Sequence, residues 1–146
     1  AVDLEDYRLN LAEKDGADVV VSPNADRLSS LVKKATHGGS DIVIEAAGRQ
    51  KTVEATTQLV RKTGRVALVG DFLGLMNLGD AEEATYFSVI VNPTKYPLAL
   101  DLLSRRILDV NRLISHRFPL TEFQKAIKTA SDPRQKPLKI LLTSLS

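Results

Sequence analysis

Two uninterrupted apolar runs organise the middle of the chain. Ile42-Val43-Ile44 and Val66-Ala67-Leu68-Val69 show no alternation with polar residues. Such runs, bounded by turn residues, are typical of strands covered on both faces, as in a parallel sheet. Gln50 to Lys62 has helical spacing between them, and Gly64 stands where a left-handed C-terminal cap is favoured. A strand, a helix and a strand in this length predict a right-handed βαβ crossover.

The remaining chain predicts a continued alternation of helices and strands. Before the crossover, the predicted elements are the end of a strand at 1–3, a helix over 8–15, a strand over 18–21 and a helix capped by Asn24. The crossover begins with a strand over 42–46. After it come a helical turn over 80–84, a strand over 87–91, a helix opened by Pro97, a strand over 113–118, a helix opened by a Thr121–Gln124 capping box and a strand over 138–143. This alternation predicts a doubly wound α/β fold with a parallel sheet.

Composition narrows the class of protein. A chain of 146 residues suits a single core, and its formal charge of +2 is too small to indicate nucleic-acid binding. The absence of cysteine excludes a disulfide framework and a thiolate metal site. No apolar run is long enough for a membrane helix. We therefore expect a cytoplasmic protein that binds neither nucleic acid nor membrane.

A glycine follows each central strand. Gly48 and Gly70 stand at carboxyl ends, where open parallel sheets bind their ligands. A glycine there lets the backbone approach a ligand closely, although it equally suits an ordinary turn between a strand and a helix. The centre of the chain thus indicates half of a nucleotide-binding sheet.

Several strings, in order along the chain, resemble the medium-chain dehydrogenase/reductase family, the zinc-dependent alcohol and polyol dehydrogenases. They are VDLEDYRLNLAEKDGAD (2–18), DIVIEAAG (41–48), GRVALVGDF (64–72), YPLALDLL (96–103), SHRFPLTEFQKAI (115–127) and LKILLT (138–143). The segment around HRFPL is most similar to the sorbitol, arabinitol and threonine dehydrogenase branch. The resemblance implies a Rossmann-type sheet, NAD as cofactor and a small alcohol or polyol as the parent enzyme's substrate.

The family's zinc ligands, first strand and GxGxxG turn all precede the matching region, and the chain contains no GxGxxG. The resemblance therefore implies that residues 1–146 are a partial NAD-binding domain, whose segment from about 111 to 146 returns toward a missing catalytic domain. The strands over 18–21 and 42–46 are then not adjacent. We expect no catalytic residue and no zinc ligand in this chain, which alone would be inactive. The alternative is a nucleotide-binding or dimerisation module without chemistry.

Three charged residues match family positions around the adenosine and the pyrophosphate. Asp3 would accept hydrogen bonds from the adenosine ribose and repel a 2′-phosphate, which favours NAD over NADP. Arg8 would flank the ribose or adenine, and Lys139 would point at the pyrophosphate. The alternatives for Asp3 are an N-terminal surface position or a helix cap, with Asp6 nearby as a competitor. For Arg8 and Lys139 the alternative is a solvated surface position.

The two strand ends match family backbone that meets the cofactor. Ala47 and Gly48 match the segment that passes the adenine and ribose. Val69, Gly70 and Asp71 match the segment that meets the nicotinamide carboxamide, although Asp71 replaces the usual apolar residue.

The strand Phe87–Val91 also matches one near the nicotinamide, and Val91 replaces an arginine of many relatives; a place in the core or a dimer interface is the alternative. This strand carries no charge and no proline, so as a sheet edge it favours pairing with another chain. The resemblance likewise implies a homodimer through this edge. We expect His116 to be structural and His37 to be solvated.

Overall fold

The central apolar runs form parallel strands, as predicted. A computed structural model describes residues 1–23, 27–77, 79–81, 83–89 and 93–144. The strands it contains are β1 (Ser40–Glu45), β2 (Val60–Leu68), β3 (Thr85–Ser88), β4 (Ile114–Pro119) and β5 (Lys139–Thr143). The α-helices are α1 (Asp6–Lys14), α2 (Leu28–Ala35), α3 (Gln50–Leu59), α4 (Tyr96–Ser104) and α5 (Phe123–Ala130). All three strand pairs in these ranges are parallel, which confirms the α/β class. None of the helices in the described ranges is long and apolar enough to cross a bilayer.

The chain divides into two units, one of residues 21–91 and one of residues 1–20 with 92–146. The first unit holds a three-stranded sheet in the order β1-β2-β3, so β3 is an outer strand as predicted. Paired residues share a face of a sheet, and Val43, Val66 and Tyr86 share the face that α3 covers. Val66 and Val53 of α3 are fully buried there. Val66 packs with Val60 and Ala81 in the hydrophobic cluster that forms the core of this unit.

The boundary between α3 and β2 differs from the prediction. The helix ends at Leu59, and Gly64 lies inside β2, so its predicted role as a helix cap is wrong. The register with β1 is irregular here, and Thr63 takes the positive φ of 58°. A Cβ on Gly64 would lie 2.6 Å from Cγ2 of Val60 and 2.9 Å from the carbonyl oxygen of Arg61. Crowding inside an irregular strand, and not a left-handed cap, therefore requires glycine at this position.

The second unit contains a parallel pair of strands, β4 and β5, against which α5 packs. Phe118 of β4 and Ala126 of α5 are buried between them. Helix α1 is tied to the same unit because the Tyr7 hydroxyl donates to the carbonyl oxygen of Pro137 at 2.9 Å. The strands predicted over 113–118 and 138–143 and the Pro97 start of a helix are confirmed within a residue or two.

Other predicted element boundaries need correction. No strand covers residues 18–20, and Val21 makes only an isolated bridge, so no strand exists there to neighbour β1. Helix α1 begins at Asp6, before the predicted Arg8. The Thr121–Gln124 capping box does not form, because a 3-10 turn over Leu120–Glu122 leads into α5 and no side chain caps that helix.

Two further predictions reach the gaps between the described ranges. The Asn24 cap lies outside the described residues, as do residues 90 and 91 of the strand predicted over 87–91, which is observed as Thr85–Ser88. Of the turn predicted over 80–84, the structure shows a 3-10 helix at Gly79–Ala81.

Candidate functional site

The carboxyl ends of β1 and β2 bring two predicted contact segments together. The parallel register continues to the pair Glu45 and Leu68, so the chain leaves both strands at the same edge of the sheet. Gly48 has a φ of +64°, and a Cβ there would stand 2.5 Å from the carbonyl oxygen of Asp71. A Cβ on Gly70 would collide with the backbone nitrogen of Gly48 and lie 2.6 Å from its Cα. Only glycines allow this approach of the two backbones.

Glu45, which the sequence analysis did not single out, lies beneath this edge. Its side chain is only 5% exposed, and its Oε1 accepts hydrogen bonds from the backbone nitrogens of Ala47 at 2.9 Å and Gly48 at 3.0 Å. Its backbone carbonyl accepts from the nitrogens of Val69 at 2.7 Å and Gly70 at 3.0 Å. Glu45 therefore links both strand ends. The available signal was an acidic residue that closes an apolar run three positions before a glycine.

The first turn of α3 is held by the same carboxylate. The Thr52 hydroxyl lies 2.7 Å from Oε1 of Glu45 and 2.8 Å from the carbonyl oxygen of Arg49, so its one proton is shared between these two acceptors. Its oxygen also accepts from the backbone nitrogen of Arg49 at 3.3 Å. Strand β1, the turn after it and the start of α3 thus share one hydrogen-bonded group. The buried Glu45 carboxylate therefore restrains the turn after β1 from the side that faces away from solvent.

The outer face of this edge is open to solvent. Ala47, Val69 and Asp71 are exposed, whereas Glu45 is buried behind them. We call the segments 47–48 and 69–71 the strand-end edge. A ligand that reaches it meets backbone, two small apolar side chains and the Asp71 carboxylate.

The structure places the other predicted contacts in the second unit. Asp3 accepts a hydrogen bond from the backbone nitrogen of Glu5 at 3.0 Å, just before α1, and its Oδ2 lies 3.8 Å from Nη1 of Arg8. Arg8 donates to the Tyr7 hydroxyl at 3.1 Å and to the carbonyl oxygen of Pro137 at 3.4 Å. The Tyr7 hydrogen bond raises the pKa of Arg8, and the charge of Asp3 acts in the same direction. Both residues thus make local contacts, and their predicted cofactor roles stay predictions.

For the two remaining predicted cofactor contacts, Lys139 and Val91, the structure gives little information. Lys139 is the exposed first residue of β5, and Val91 lies outside the described residues.

A cavity of about 370 Å³ opens beside the start of α1 and the 3-10 turn Pro133–Gln135. None of the predicted contact residues lines it. There Arg134 is held by Asp132 through two contacts of 2.8 and 3.0 Å, which lower the pKa of Asp132.

The described part of the chain contains no group of three or more His, Cys, Asp or Glu residues that could hold a metal ion. The His116 ring stacks on Phe118 at a centroid distance of 6.1 Å, and its Nδ1 lies 2.9 Å from the Ser115 hydroxyl. His37 follows α2 with a φ of 54°. The contacts of His116 are those of a packed strand residue.

Comparisons with known proteins agree in fold and family. The family model described as "Zinc-binding dehydrogenase" matches residues 1–105. D-arabitol-phosphate dehydrogenase from Enterococcus avium is 33% identical over 94% of this chain and 41% of its own length. The crystal structure of an oxidoreductase/dehydrogenase of unknown specificity from Escherichia coli matches with a TM-score of 0.91 and 26% identity, over 99% of this chain and 43% of that one.

Alcohol dehydrogenase TADH from Thermus sp. ATN1 matches with a TM-score of 0.87 and 28% identity, over 99% of this chain and 43% of that one. The chain thus spans about two fifths of the length of the curated relatives it matches. These dehydrogenase folds carry a Rossmann-type domain, in agreement with the parallel α/β architecture observed here. Because the family model covers more than half of the sequence, the chain belongs to the zinc-binding dehydrogenases of the medium-chain dehydrogenase/reductase family.

Proposed function

We propose that this chain is the part of an NAD-dependent alcohol or polyol dehydrogenase that holds the cofactor. The observation that supports the proposal is the strand-end edge at the carboxyl ends of parallel strands. There the backbones of Gly48 and Gly70 approach so closely that a side chain on Gly70 would collide with Gly48. Open parallel sheets bind their ligands at such ends. Membership in a dehydrogenase family adds the chemical class of the ligand.

The residues present fit a dinucleotide better than a metal ion. Bare backbone at Gly48 and Gly70 lets a flat ring or a ribose approach closely, and a carboxylate such as Asp3 suits ribose hydroxyls. The carboxylate of Asp3 keeps one oxygen beyond its bond to the Glu5 nitrogen, with Arg8 at ion-pair distance. The described residues do not fit zinc, so in this proposal its ligands belong to another part of the parent enzyme.

The proposed reaction is hydride transfer between a secondary alcohol and NAD. The cofactor supplies the hydride chemistry, while the protein supplies its binding and orientation. Within this chain the strand-end edge would position the cofactor by shape, and the buried Glu45 would keep that shape fixed. The segment from about residue 111 to 146 would return toward the catalytic domain.

We propose a sugar alcohol or its phosphate as the substrate class, because the Enterococcus avium relative is a D-arabitol-phosphate dehydrogenase. We also propose a homodimer joined through the outer strand β3, in a cytoplasmic protein. Phe87 within this strand and Val89 just beyond it are both exposed, which supports the dimer.

The test uses the complete protein that the gene encodes. We expect NAD reduction with at least one member of a panel of polyols and polyol phosphates, loss of activity after dialysis against a chelator, and recovery with zinc. NAD binding without turnover of any alcohol, with or without zinc, would instead support a nucleotide-binding module without chemistry.

A further inference from the structure

We propose that Glu45 is the positioning residue of the strand-end edge, which it holds in the geometry that the cofactor contacts. The inference rests on the proposed function and deepens it. Glu45 itself touches no ligand in this proposal, because it lies behind the edge and is 5% exposed.

The hydrogen bonds of Glu45 converge from both strand ends. Its carboxylate takes the backbone N–H groups of Ala47 and Gly48, and its carbonyl takes those of Val69 and Gly70. These amides point inward, away from any ligand at the outer face. The edge is therefore built to present carbonyl groups, Cα atoms and small side chains instead of amide donors.

The burial of this carboxylate indicates a specific role. A buried charge is costly unless hydrogen bonds replace water, and here two backbone amides do so, with the Thr52 hydroxyl shared between Glu45 and the Arg49 carbonyl oxygen. Hydrogen bonds to a charged acceptor are roughly twice as strong as neutral ones. The turn after β1 is thus held by stronger bonds than a turn closed by backbone alone.

The carboxylate and Gly70 are also matched in space. A Cβ on residue 70 would lie 2.8 Å from Oε2 of Glu45 and would collide with the Gly48 nitrogen. A shorter acid at position 45 would leave the Gly48 amide without its acceptor, and the turn would be free to move. We infer that the length of the Glu45 side chain, as well as its charge, sets the spacing of the two backbones.

The experiment compares four variants of the complete protein by steady-state kinetics with NAD and the best polyol. Glu45→Asp keeps the carboxylate but shortens the side chain, so the carboxylate no longer reaches the Gly48 amide. Glu45→Gln keeps the length of the side chain and one acceptor oxygen. Thr52→Val removes one donor. The matched control is Glu54→Gln on the exposed face of α3, where the Glu54 carboxylate accepts a hydrogen bond from the Gln50 side chain.

We expect Glu45→Asp to raise the KM for NAD about ten- to a hundredfold, with kcat at saturating NAD within about twofold of wild type. Glu45→Gln and Thr52→Val should raise that KM about threefold each, and Glu54→Gln should leave it unchanged. A merely structural residue would instead lower the melting temperature and the active fraction, and hence the apparent kcat, at a constant KM.

Wild-type KM values in Glu45→Asp would overturn the inference and leave the proposed function intact. If Glu45→Asp does not fold, wild-type KM values in both Glu45→Gln and Thr52→Val would overturn it equally. A wild-type protein that neither binds nor reduces NAD would overturn the inference and the proposed function together.

Discussion

At the scale of single residues, the buried polar groups around the sheet differ in how they are bonded. The Glu45 carboxylate accepts from two backbone amides and shares the Thr52 hydroxyl proton, whereas the Tyr86 hydroxyl is buried without a hydrogen bond of good geometry, beside the Thr56 hydroxyl. The Thr56 hydroxyl itself donates to the carbonyl oxygen of Val53 at 2.6 Å. The Glu45 carboxylate therefore stabilises the turn around it, whereas burial of the Tyr86 hydroxyl opposes folding.

This contrast predicts the effect of Tyr86→Phe. Removal of a buried hydroxyl without a partner should raise the free energy of unfolding by about 1 kcal/mol. Burial also raises the pKa of Tyr86, with the nearby Thr56 offsetting part of the rise. The folded protein therefore keeps the phenolic proton above the pH, about 10, at which the unfolded chain loses it, so wild-type stability falls as the pH rises past 10.

Urea unfolding at pH 7 and above pH 10 tests both parts, with Tyr96→Phe as the control because Tyr96 is 56% exposed. Tyr86→Phe should lose part of the alkaline destabilisation that wild type and the control show. A variant less stable than wild type at pH 7 would indicate that the hydroxyl has a partner.

Asp3 gives a second prediction at this scale. Asp3→Ala should weaken NAD binding by about 1.5–3 kcal/mol, because it removes a charged acceptor for the ribose hydroxyls. It should also reduce the preference for NAD over NADP, since no carboxylate then repels the 2′-phosphate. Titrations of the complete protein with both cofactors measure this. Asp6→Ala, a change in the same α1 region, should have no such effect, and equal affinities in wild type and Asp3→Ala would remove Asp3 from the site.

At the scale of elements, local patterns located helices and strands well but assigned their ends poorly. The runs at 42–44 and 66–68 are strands, and Val69 lies just beyond the end of β2. Val66 is fully buried, but Ile42 and Ile44 are 56% and 67% exposed, so the prediction that both faces of these strands are covered is wrong at those two positions. The cap predicted at Gly64 is wrong because a glycine after a helical pattern suits a crowded strand as well as a cap, and only the close approach of Val60 decides between them. The strand predicted over 18–21 fails because apolar residues alone do not provide a partner strand.

The candidate site likewise contains residues that a local sequence pattern predicts and one that only the folded structure reveals. The place of Gly48 and Gly70 after apolar runs predicts them, and the family resemblance adds Asp71; the structure brings the three together. Glu45 was missed because a lone acid at the end of a strand carries no local pattern. Its significance depends on amides of the next strand, which lie more than twenty residues away in the chain and reach it only in the folded sheet.

The outer strand β3 carries a prediction about assembly. Val89, 44% exposed just beyond the strand, continues its apolar edge, and its backbone nitrogen donates to the Leu68 carbonyl oxygen at 2.9 Å. If two copies pair through this edge, Val89→Lys should convert a dimer into a monomer with little change in helix content, because charge opposes edge pairing. Leu75→Lys, at an exposed position in the loop before β3, is the control that adds the same charge elsewhere.

Sedimentation velocity at tens of micromolar distinguishes the outcomes. A wild-type dimer that Leu75→Lys keeps and Val89→Lys loses supports the edge. A monomeric wild-type protein, or a dimer that survives Val89→Lys, would place any interface elsewhere.

At the scale of the whole molecule, family membership and the arrangement of the strand ends support one account. The chain matches a zinc-binding dehydrogenase model over residues 1–105, and its sheet offers bare backbone at the carboxyl ends of β1 and β2. The central claim is that NAD meets the protein at this edge. It joins a sequence property, the placement of glycines after apolar runs, to the function of the parent enzyme.

A crystal structure of the complete protein with NAD tests this claim most directly. We expect the cofactor in van der Waals contact, within about 4 Å, with the backbone at Gly48 and at Gly70, and the carboxylate of Glu45 behind them without contact to the ligand. NAD bound elsewhere, with both glycines still facing solvent, would contradict the account.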